Sequence, residues 1–233
     1  MIQFTICPPL LFATPPDTLD HFPSYRVEGG APTFYKLIAE TLRYPRSARQ
    51  SEIIGTSIIS FVLHPSGEIS EWNIINSLGK EIDEEVIHVF KKTEKIWLPD
   101  SLEEKSYVLF FPVHFIINGH IYNLTAHSAG FMQEEIKLVA EGNTSRKTLT
   151  DQSLAQQAND LYQKQKYKPA MRHLNELIRR NPFSSELYKM RGYCRYMTDD
   201  KVGACEDYQK IETLLHQPIP PAARNICIGY PER

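Results

Sequence analysis

The histidines are the first candidates for metal binding or catalysis in this sequence, but their spacing matches no metal-binding or catalytic motif. The chain has eight, and His114, His120 and His127 lie closest together. No His-Glu-x-x-His pattern or similar ligand spacing includes them. We therefore interpret them as strand or surface histidines, and we predict neither a metal site nor a cofactor.

Two other motifs could serve catalysis. The acidic run Asp83-Glu84-Glu85 falls at the start of a predicted helix, where carboxylates complement the helix dipole. Ser66-Gly67 lacks the partner pattern of a nucleophile, and the chain has no glycine-rich phosphate loop. Trp72 and Trp97 are candidate binding aromatics, but we favour core packing for both. We predict that the protein is not an enzyme.

The composition is ordinary for a soluble globular protein of one or two domains. Of 233 residues, 42% are hydrophobic and 23% are charged. The net charge of −2 argues against nucleic acid or an anionic membrane as a partner bound by bulk charge. No stretch reaches the roughly 18 apolar residues of a membrane helix, so we predict no membrane span.

Residues 1–28 read as an irregular N-terminal lead. Its apolar centre, Ile6 to Ala13, has no basic residue before it and is interrupted by Pro8 and Pro9. A secretory signal normally begins with positive charge. An export signal of unusual form and an ordinary extended arm both remain open.

Residues 29–126 are predicted to form a small α+β domain. Apolar residues recur at helical spacing from Thr33 to Leu42, and a second short helix follows at Pro45–Gln50. A strand opening at Gly55 and a second strand at about 68–77 form a hairpin around the turn at 65–67. A third helix carries the apolar stripe from Ile82 to Phe90.

A third strand is predicted from Ser106 to Ile117. Pro112 cannot donate to a ladder, so its presence indicates a sheet edge or a bulge. We therefore predict a three-stranded antiparallel sheet with this strand at its edge. Ile121–Ala126 is a candidate short strand, Gly130–Val139 is weakly helical, and residues 127–150 are assigned to a linker.

From residue 151 the chain has an internal repeat of 34 residues. Small and aromatic residues recur at this spacing, as in the pairs Ala158 and Gly192, Tyr162 and Tyr196, and Ala170 and Ala204. This period is typical of tetratricopeptide (TPR) repeats, in which small residues let antiparallel helices approach. We predict two all-α TPR-like repeats at 151–217, capped by the front domain or by the tail at 218–233.

The cysteines do not fix the cellular compartment. Cys7, Cys194, Cys205 and Cys227 form no Cys-x-x-Cys pair. Cys194 and Cys205 fall on two helices of one predicted hairpin, so a disulfide between them and two buried free thiols are both open. We favour the free thiols, because unpaired cysteine is often buried.

Residues 29–117 resemble the TonB C-terminal domain family of Bacteroidetes type. The ordered motif residues are Tyr44-Pro45, Ala48, Gly55, Phe61, Gly67, Ser77, Gly79, Asp83-Glu84-Glu85, Trp97-x-Pro99 and Pro112-Val113-x-Phe115. The resemblance implies a periplasmic module of the cell envelope that grips outer-membrane receptors and is related to an energy transducer of transmembrane transport. It implies that a receptor peptide adds as a strand at the sheet edge.

The implied partner is thus a protein or peptide, with TonB-dependent outer-membrane receptors as candidates. On the third strand the predicted contact residues are Tyr107, Leu109, Phe111, Val113 and Phe115. Full TonB proteins also carry a membrane helix and a proline-rich spacer, so we expect binding rather than force transduction from this chain. The alternative is a scaffold in which the sheet domain only caps the repeats and the TPR groove binds through Asn159, Tyr162, Tyr193 and Tyr196.

Overall fold

The computed structural model describes residues 22–102, 104–117, 136–141 and 149–227. The first part of the chain forms two helices, a β-hairpin, a third helix and two further strands. These are α1 (Gly30–Thr41), α2 (Arg46–Gln50), β1 (Gly55–Leu63), β2 (Ile69–Asn76), α3 (Lys80–Lys91), β3 (Tyr107–Ile117) and β4 (Ile136–Ala140). Five helices follow, namely α4 (Asp151–Gln163), α5 (Tyr167–Arg180), α6 (Ser185–Met197), α7 (Lys201–Thr213) and α8 (Pro221–Cys227). The α+β class is as predicted.

Within the described residues the sheet has four strands rather than the three predicted. Their order is β2-β1-β3-β4, with β1 antiparallel to both β2 and β3, and β4 parallel to β3. The prediction that the proline-bearing strand lies at an edge is therefore wrong. Pro112 is compatible with an interior strand because it precedes Val113, where the ladder with β4 begins.

The new strand comes from residues that the sequence assigns to a linker. Residues 136–140 form β4, so the weakly helical prediction for Gly130–Val139 is wrong at its C-terminal end. The candidate strand at Ile121–Ala126 lies outside the described residues, as do residues 1–21.

One face of the sheet packs against α1, α2 and α3. The stripe on α3 is fully buried, and it consists of Ile82, Val86, Val89 and Phe90. Phe34 of α1 lies 5.0 Å from Phe111 of β3, measured between ring centroids. Trp97 is also buried, and Trp72 packs on Phe61 at 4.8 Å, as the preference for core packing predicts. Burying one such large apolar side chain stabilises the fold by about 1.5–3 kcal/mol.

The end of the N-terminal lead belongs to this core. Arg26 is only 2% exposed and donates its Nε to the carbonyl of Leu98 and an Nη to the carbonyl of His64. Val27 also pairs with Trp97 in an isolated bridge. The folded unit therefore begins before residue 29.

The helices α4 to α7 form two antiparallel hairpins. The first helices of the hairpins begin at Asp151 and Ser185, and the second helices begin at Tyr167 and Lys201, which is the 34-residue offset of the repeat. Gly192 allows the close crossing of α6 and α7, because a Cβ at this position would lie 3.0 Å from the ring of Tyr208.

The hairpins pack against the second face of the sheet. Ile58 of β1 shares a buried apolar cluster with Tyr188, Ile211 and other residues of α5 to α8, including Ala223. All nine residues of β1 are buried, because helices cover both faces of this strand. The sheet and the described part of the tail, through Ile219 and Ala223, thus both pack against the helices of the repeat.

The cysteines pair differently from both alternatives. Cys205 of α7 is bonded to Cys227 of α8, whereas Cys194 is a buried free thiol. The disulfide between Cys194 and Cys205 is therefore not formed, and the favoured pair of free thiols is wrong for Cys205. Burial raises the pKa of the Cys194 thiol to about 11, so the thiol stays protonated at neutral pH.

Within the described residues, none of the helices combines the length and the apolar character needed to cross a membrane.

Candidate protein-binding site

The third strand contributes main chain rather than side chains to its outer border. Of the five predicted contact residues, Leu109, Phe111, Val113 and Phe115 are at most 1% exposed and belong to the core beneath the helices. Tyr107 is partly buried and packs against the same core. A partner on this border would therefore meet the backbone of β3, while the buried side chains hold the strand in place.

The border of β3 is occupied over its second half. Val113 to Ile117 pair with Ile136 to Ala140 in a regular parallel register. Ile136 and Leu138 pack against the core on the face covered by α1 to α3, whereas Val139 is 54% exposed. Five residues of an extended segment thus already form the kind of strand pairing that the sequence predicts for a partner.

The opposite border of the sheet is less suited to strand pairing. In β2, Glu71 has a φ of 53°, and the β1–β2 ladder shifts register twice, between Ile58 and Ile59 and between Ser60 and Val62. Such irregularities twist an edge strand and discourage another strand from adding to it. Glu71 and Asn73 are also exposed on this strand.

The helical repeats bring together part of the predicted groove. The rings of Tyr162 and Tyr193 lie 5.6 Å apart, and Tyr167 completes a cluster at 6.1 and 6.0 Å from them. Tyr196 is 41% exposed, and Asn159 is also exposed. Tyr167, the first residue of α5, was not among the predicted groove residues, although it is a tyrosine close in sequence to Tyr162.

Tyr162 in this cluster is neutral at physiological pH. Burial raises the pKa of the Tyr162 hydroxyl, and the neighbouring phenol of Tyr193 raises it further. A neutral phenol both donates and accepts hydrogen bonds and offers an apolar ring, which suits a peptide partner.

A buried ion pair joins α6, which carries Tyr193, to α7. Asp207 of α7 is 1% exposed and accepts hydrogen bonds from Arg191 of α6, the shortest of them 2.6 Å. Arg195 approaches the same carboxylate at 3.2 Å. The two arginines neutralise a carboxylate that would otherwise be costly to bury.

The other candidate residues have structural partners. Asp83 accepts a hydrogen bond from the backbone N–H of Leu78 and another from the hydroxyl of Ser77, so it ties the first turn of α3 to the residues before it. His114 is buried with its Nδ1 2.9 Å from the hydroxyl of Thr56. His120 and His127 lie outside the described residues, and within those residues no group of three potential ligands could hold a metal ion.

Comparison with known proteins finds similarity over part of the chain. No curated protein matches it. Among solved structures, the C-terminal domain of Helicobacter pylori TonB, determined by NMR in solution, is similar with 17% identity and a TM-score of 0.30, over 41% of this chain and 94% of that one. Residues 40–117, from the end of α1 to the end of β3, match the family described as the Gram-negative bacterial TonB protein C-terminal.

Proposed function

We propose that the protein is a non-enzymatic protein-binding module of the cell envelope, related to the TonB energy transducer of outer-membrane receptor transport. It binds an extended segment of a partner protein as an added strand on the β3 side of the sheet. TonB-dependent outer-membrane receptors are the candidate partners. The observation that carries this proposal is the family match over residues 40–117, which contains β1, β2 and β3.

The geometry of β3 supports strand addition. Nine pairs, from Gly55 with Phe115 to Leu63 with Tyr107, hold the strand against β1. Its other side accepts β4 through main-chain pairing. In strand addition the main-chain hydrogen bonds provide affinity and alternate side chains provide selectivity. A rigid strand with its side chains fixed in the core is a suitable acceptor.

The disulfide supports a periplasmic location. Bonds such as that between Cys205 and Cys227 persist in oxidising compartments, including the bacterial periplasm, and are rare in the cytosol. Partners in the outer membrane are accessible from that compartment.

Site-specific photocrosslinking in cells that produce the protein tests the proposal. A benzoylphenylalanine replaces one aromatic residue at a time, at Tyr107 beside the β3 border, at Tyr196 in the groove, and at the exposed Tyr25 as control. We expect the Tyr107 position to crosslink to an outer-membrane receptor and the Tyr25 position not to. If the receptor is absent from the Tyr107 adducts, the proposal is wrong.

A second candidate function is that of a scaffold which binds through the helical repeats. The observation that favours it is the exposed aromatic surface of α6, where Tyr193 is 38%, Tyr196 is 41% and Met197 is 45% exposed. Exposed apolar residues in one patch are typical of an interaction surface. Partner adducts from the Tyr196 position alone would support the scaffold over strand addition.

A further inference from the structure

We propose that two copies of this chain associate through one end of the helical repeats, the end that carries the turn between α4 and α5 and the turn between α6 and α7. The occupant of this surface is a second copy, related to the first by a two-fold axis. The inference does not depend on strand pairing at β3. The surface, called the turn edge below, consists of residues 164–168 and 198–201 together with Arg172, Tyr193, Tyr196, Met197 and Glu206.

The two turns have the same backbone geometry and lie at the same end of the repeats. Gln165 and Asp199, which are 34 residues apart, both have a positive φ, of 56° and 67°. Tyr167 directly after the first turn packs on Tyr193 of α6, with 6.0 Å between the ring centroids. Each turn is closed by a main-chain hydrogen bond, from the N–H of Lys166 to the carbonyl of Leu161 and from the N–H of Asp200 to the carbonyl of Arg195.

On this shared backbone the two turns carry opposite charge. Exposed cations surround the first turn, against one exposed carboxylate at Asp160, and they are Lys164, Lys166, Lys168 and Arg172. Exposed carboxylates surround the second turn, against the cation of Lys201, and they are Asp199, Asp200 and Glu206. At two equivalent positions of the repeat the sign is reversed, since Lys166 corresponds to Asp200 and Arg172 to Glu206.

Most of these charges have no partner within their own chain. Across the residues that the structure describes, none of the four cations around the first turn has a carboxylate within ion-pairing distance, and neither Asp199 nor Glu206 has a cation within that distance. Asp200 is engaged in part, because it accepts from the N–H of Gly203 and lies 3.6 Å from Arg195. The remaining charges are therefore available for contact with another chain.

Exposed apolar side chains lie beside the charged turns. Tyr196 and Met197 directly precede the second turn, and both are exposed. Tyr193 is also exposed, and its ring contacts Tyr162 and Tyr167, which flank the first turn. Apolar side chains grouped within a charged surround are typical of a protein interface.

The turn edge is complementary to itself under a two-fold axis. When two copies face each other about an axis between the two turns, the basic turn of each copy lies opposite the acidic turn of the other. Both charge contacts then form at once, and the exposed aromatic side chains of the two copies meet between them. Any other partner would need the same two opposite charges at the same spacing, so a second copy is the occupant that this surface fits.

Sedimentation velocity of the full chain over a range of concentrations tests the inference. Lys166→Glu with Arg172→Glu gives both hairpins net negative charge at the turn edge, and Asp199→Lys with Glu206→Lys gives both net positive charge. A lysine is compatible with the positive φ of Asp199, because Gln165 has a long side chain and adopts the same conformation in the first turn.

The matched control is Lys36→Glu with Lys95→Glu. It makes the same change of charge as the acidic edge variant, but on α1 and just after α3, where both lysines are exposed. Circular dichroism verifies that each variant is folded.

We expect the wild type and the control to dimerise, and each edge variant to have a dimer dissociation constant higher by about tenfold or more. An equimolar mixture of the two edge variants should recover the dimer, because an acidic edge then faces a basic one. Salt of about 1 M, at which the Debye length is about 3 Å, should weaken the wild-type dimer.

A wild type that stays monomeric at every concentration would overturn the inference. A dimer that both edge variants retain would do the same, as would a mixture that is no more dimeric than its two components. If Asp199→Lys prevents folding, Glu206→Lys alone takes its place, with the same expected order of dissociation constants.

Photocrosslinking of the purified chain provides a second measurement. Benzoylphenylalanine at Tyr196 should give an adduct of twice the mass of the chain, and the same group at the exposed Tyr25 should not. If the Tyr196 position in cells crosslinks to a different protein and never to a second copy, the turn edge belongs to that protein and the inference is wrong. The receptor crosslink from Tyr107 is a separate readout, so failure of the dimer is distinguishable from failure of strand addition.

Discussion

Gly55 offers the sharpest test of how the helical repeats dock on the sheet. It opens β1 with a φ of 148°, and a Cβ built there would lie 2.5 Å from the carbonyl oxygen of Arg179 and 2.8 Å from a methyl group of Leu78. Separations under 3.0 Å do not occur between real Cβ atoms and their neighbours. Gly55→Ala must therefore move the C-terminal end of α5 away from the sheet.

That end of α5 is held by hydrogen bonds, so it cannot move without cost. The hydroxyl of Thr56 donates to the carbonyl of Arg180 at 3.1 Å, and the side-chain amide of Asn76 lies 3.5 Å from the carbonyl of Arg179. Overpacking a well-ordered contact costs about 1–3 kcal/mol. The unusual φ adds a further cost of about 1–3 kcal/mol for any residue with a side chain.

Gly79 provides the matched control. Its φ is 118°, but nothing lies within 4 Å of a Cβ built there. Gly79→Ala therefore carries the backbone cost without the collision. Urea unfolding at 25 °C, followed by circular dichroism, gives the free energy of unfolding of each variant. We expect Gly55→Ala to be less stable than Gly79→Ala by about 1–3 kcal/mol. If both variants lose the same free energy, α5 does not dock at Gly55 as described.

Three further predictions concern the helical part. Asp207→Asn should lower the free energy of unfolding by about 3–5 kcal/mol in urea, because it leaves buried arginine charge without its partner. Cys227→Ser should cost about 3 kcal/mol, the loop-closure term for a separation of 22 residues, and should abolish the effect of dithiothreitol on stability. Burial alone would raise the pKa of Glu176, but hydrogen bonds and charge from Arg179 and Arg180 outweigh it and hold this pKa below its ordinary value of 4.5. The stabilisation that the ionised Glu176 provides is therefore present above pH 4.5 and is lost as the pH falls through the lowered pKa. Glu176→Gln should reduce the free energy of unfolding at pH 7, and this free energy should then fall less steeply as the pH is lowered.

Each of these predictions has its own control. Glu212→Gln removes a carboxylate whose partner Arg224 is 63% exposed, and it should change stability by less than about 0.5 kcal/mol. If Glu212→Gln lowers the free energy of unfolding as much as Asp207→Asn does, burial of the Asp207 ion pair does not explain the larger cost expected there. Wild-type stability that is insensitive to dithiothreitol would contradict the disulfide. An acid decline as steep in Glu176→Gln as in the wild type would assign that decline to other groups.

The local elements were largely predictable from the sequence. Helical spacing of apolar residues marked α1 and α3, and turn residues around Gly67 placed the hairpin of β1 and β2. The 34-residue spacing of residues is matched in the structure by the starts of α4 and α6 and by the starts of α5 and α7. These signals are carried by residues close together in the chain, so they need no knowledge of the final packing.

β4 and the disulfide were not predictable in the same way. The apolar pattern of a five-residue strand is too short to distinguish the strand from a weak helix. Its pairing with β3 connects two segments that are separated in the chain, so no local pattern indicates it. Cys227 lies in a tail without a repeat pattern, so nothing in its spacing pointed to Cys205. For the candidate site, the sequence identified β3 correctly as a strand but misplaced it in the sheet.

By itself, then, the sequence determined the order of helices and strands from α1 to β3, the repeat, and the resemblance of residues 29–117 to a TonB C-terminal domain. Only the tertiary structure decided that β3 is an interior strand, that β4 occupies its border, and that the repeats cover the second face of the sheet. The physical reason is that residue periodicity specifies which faces are apolar. It does not specify which distant segment covers them, since that choice depends on packing and hydrogen bonding among elements far apart in the chain.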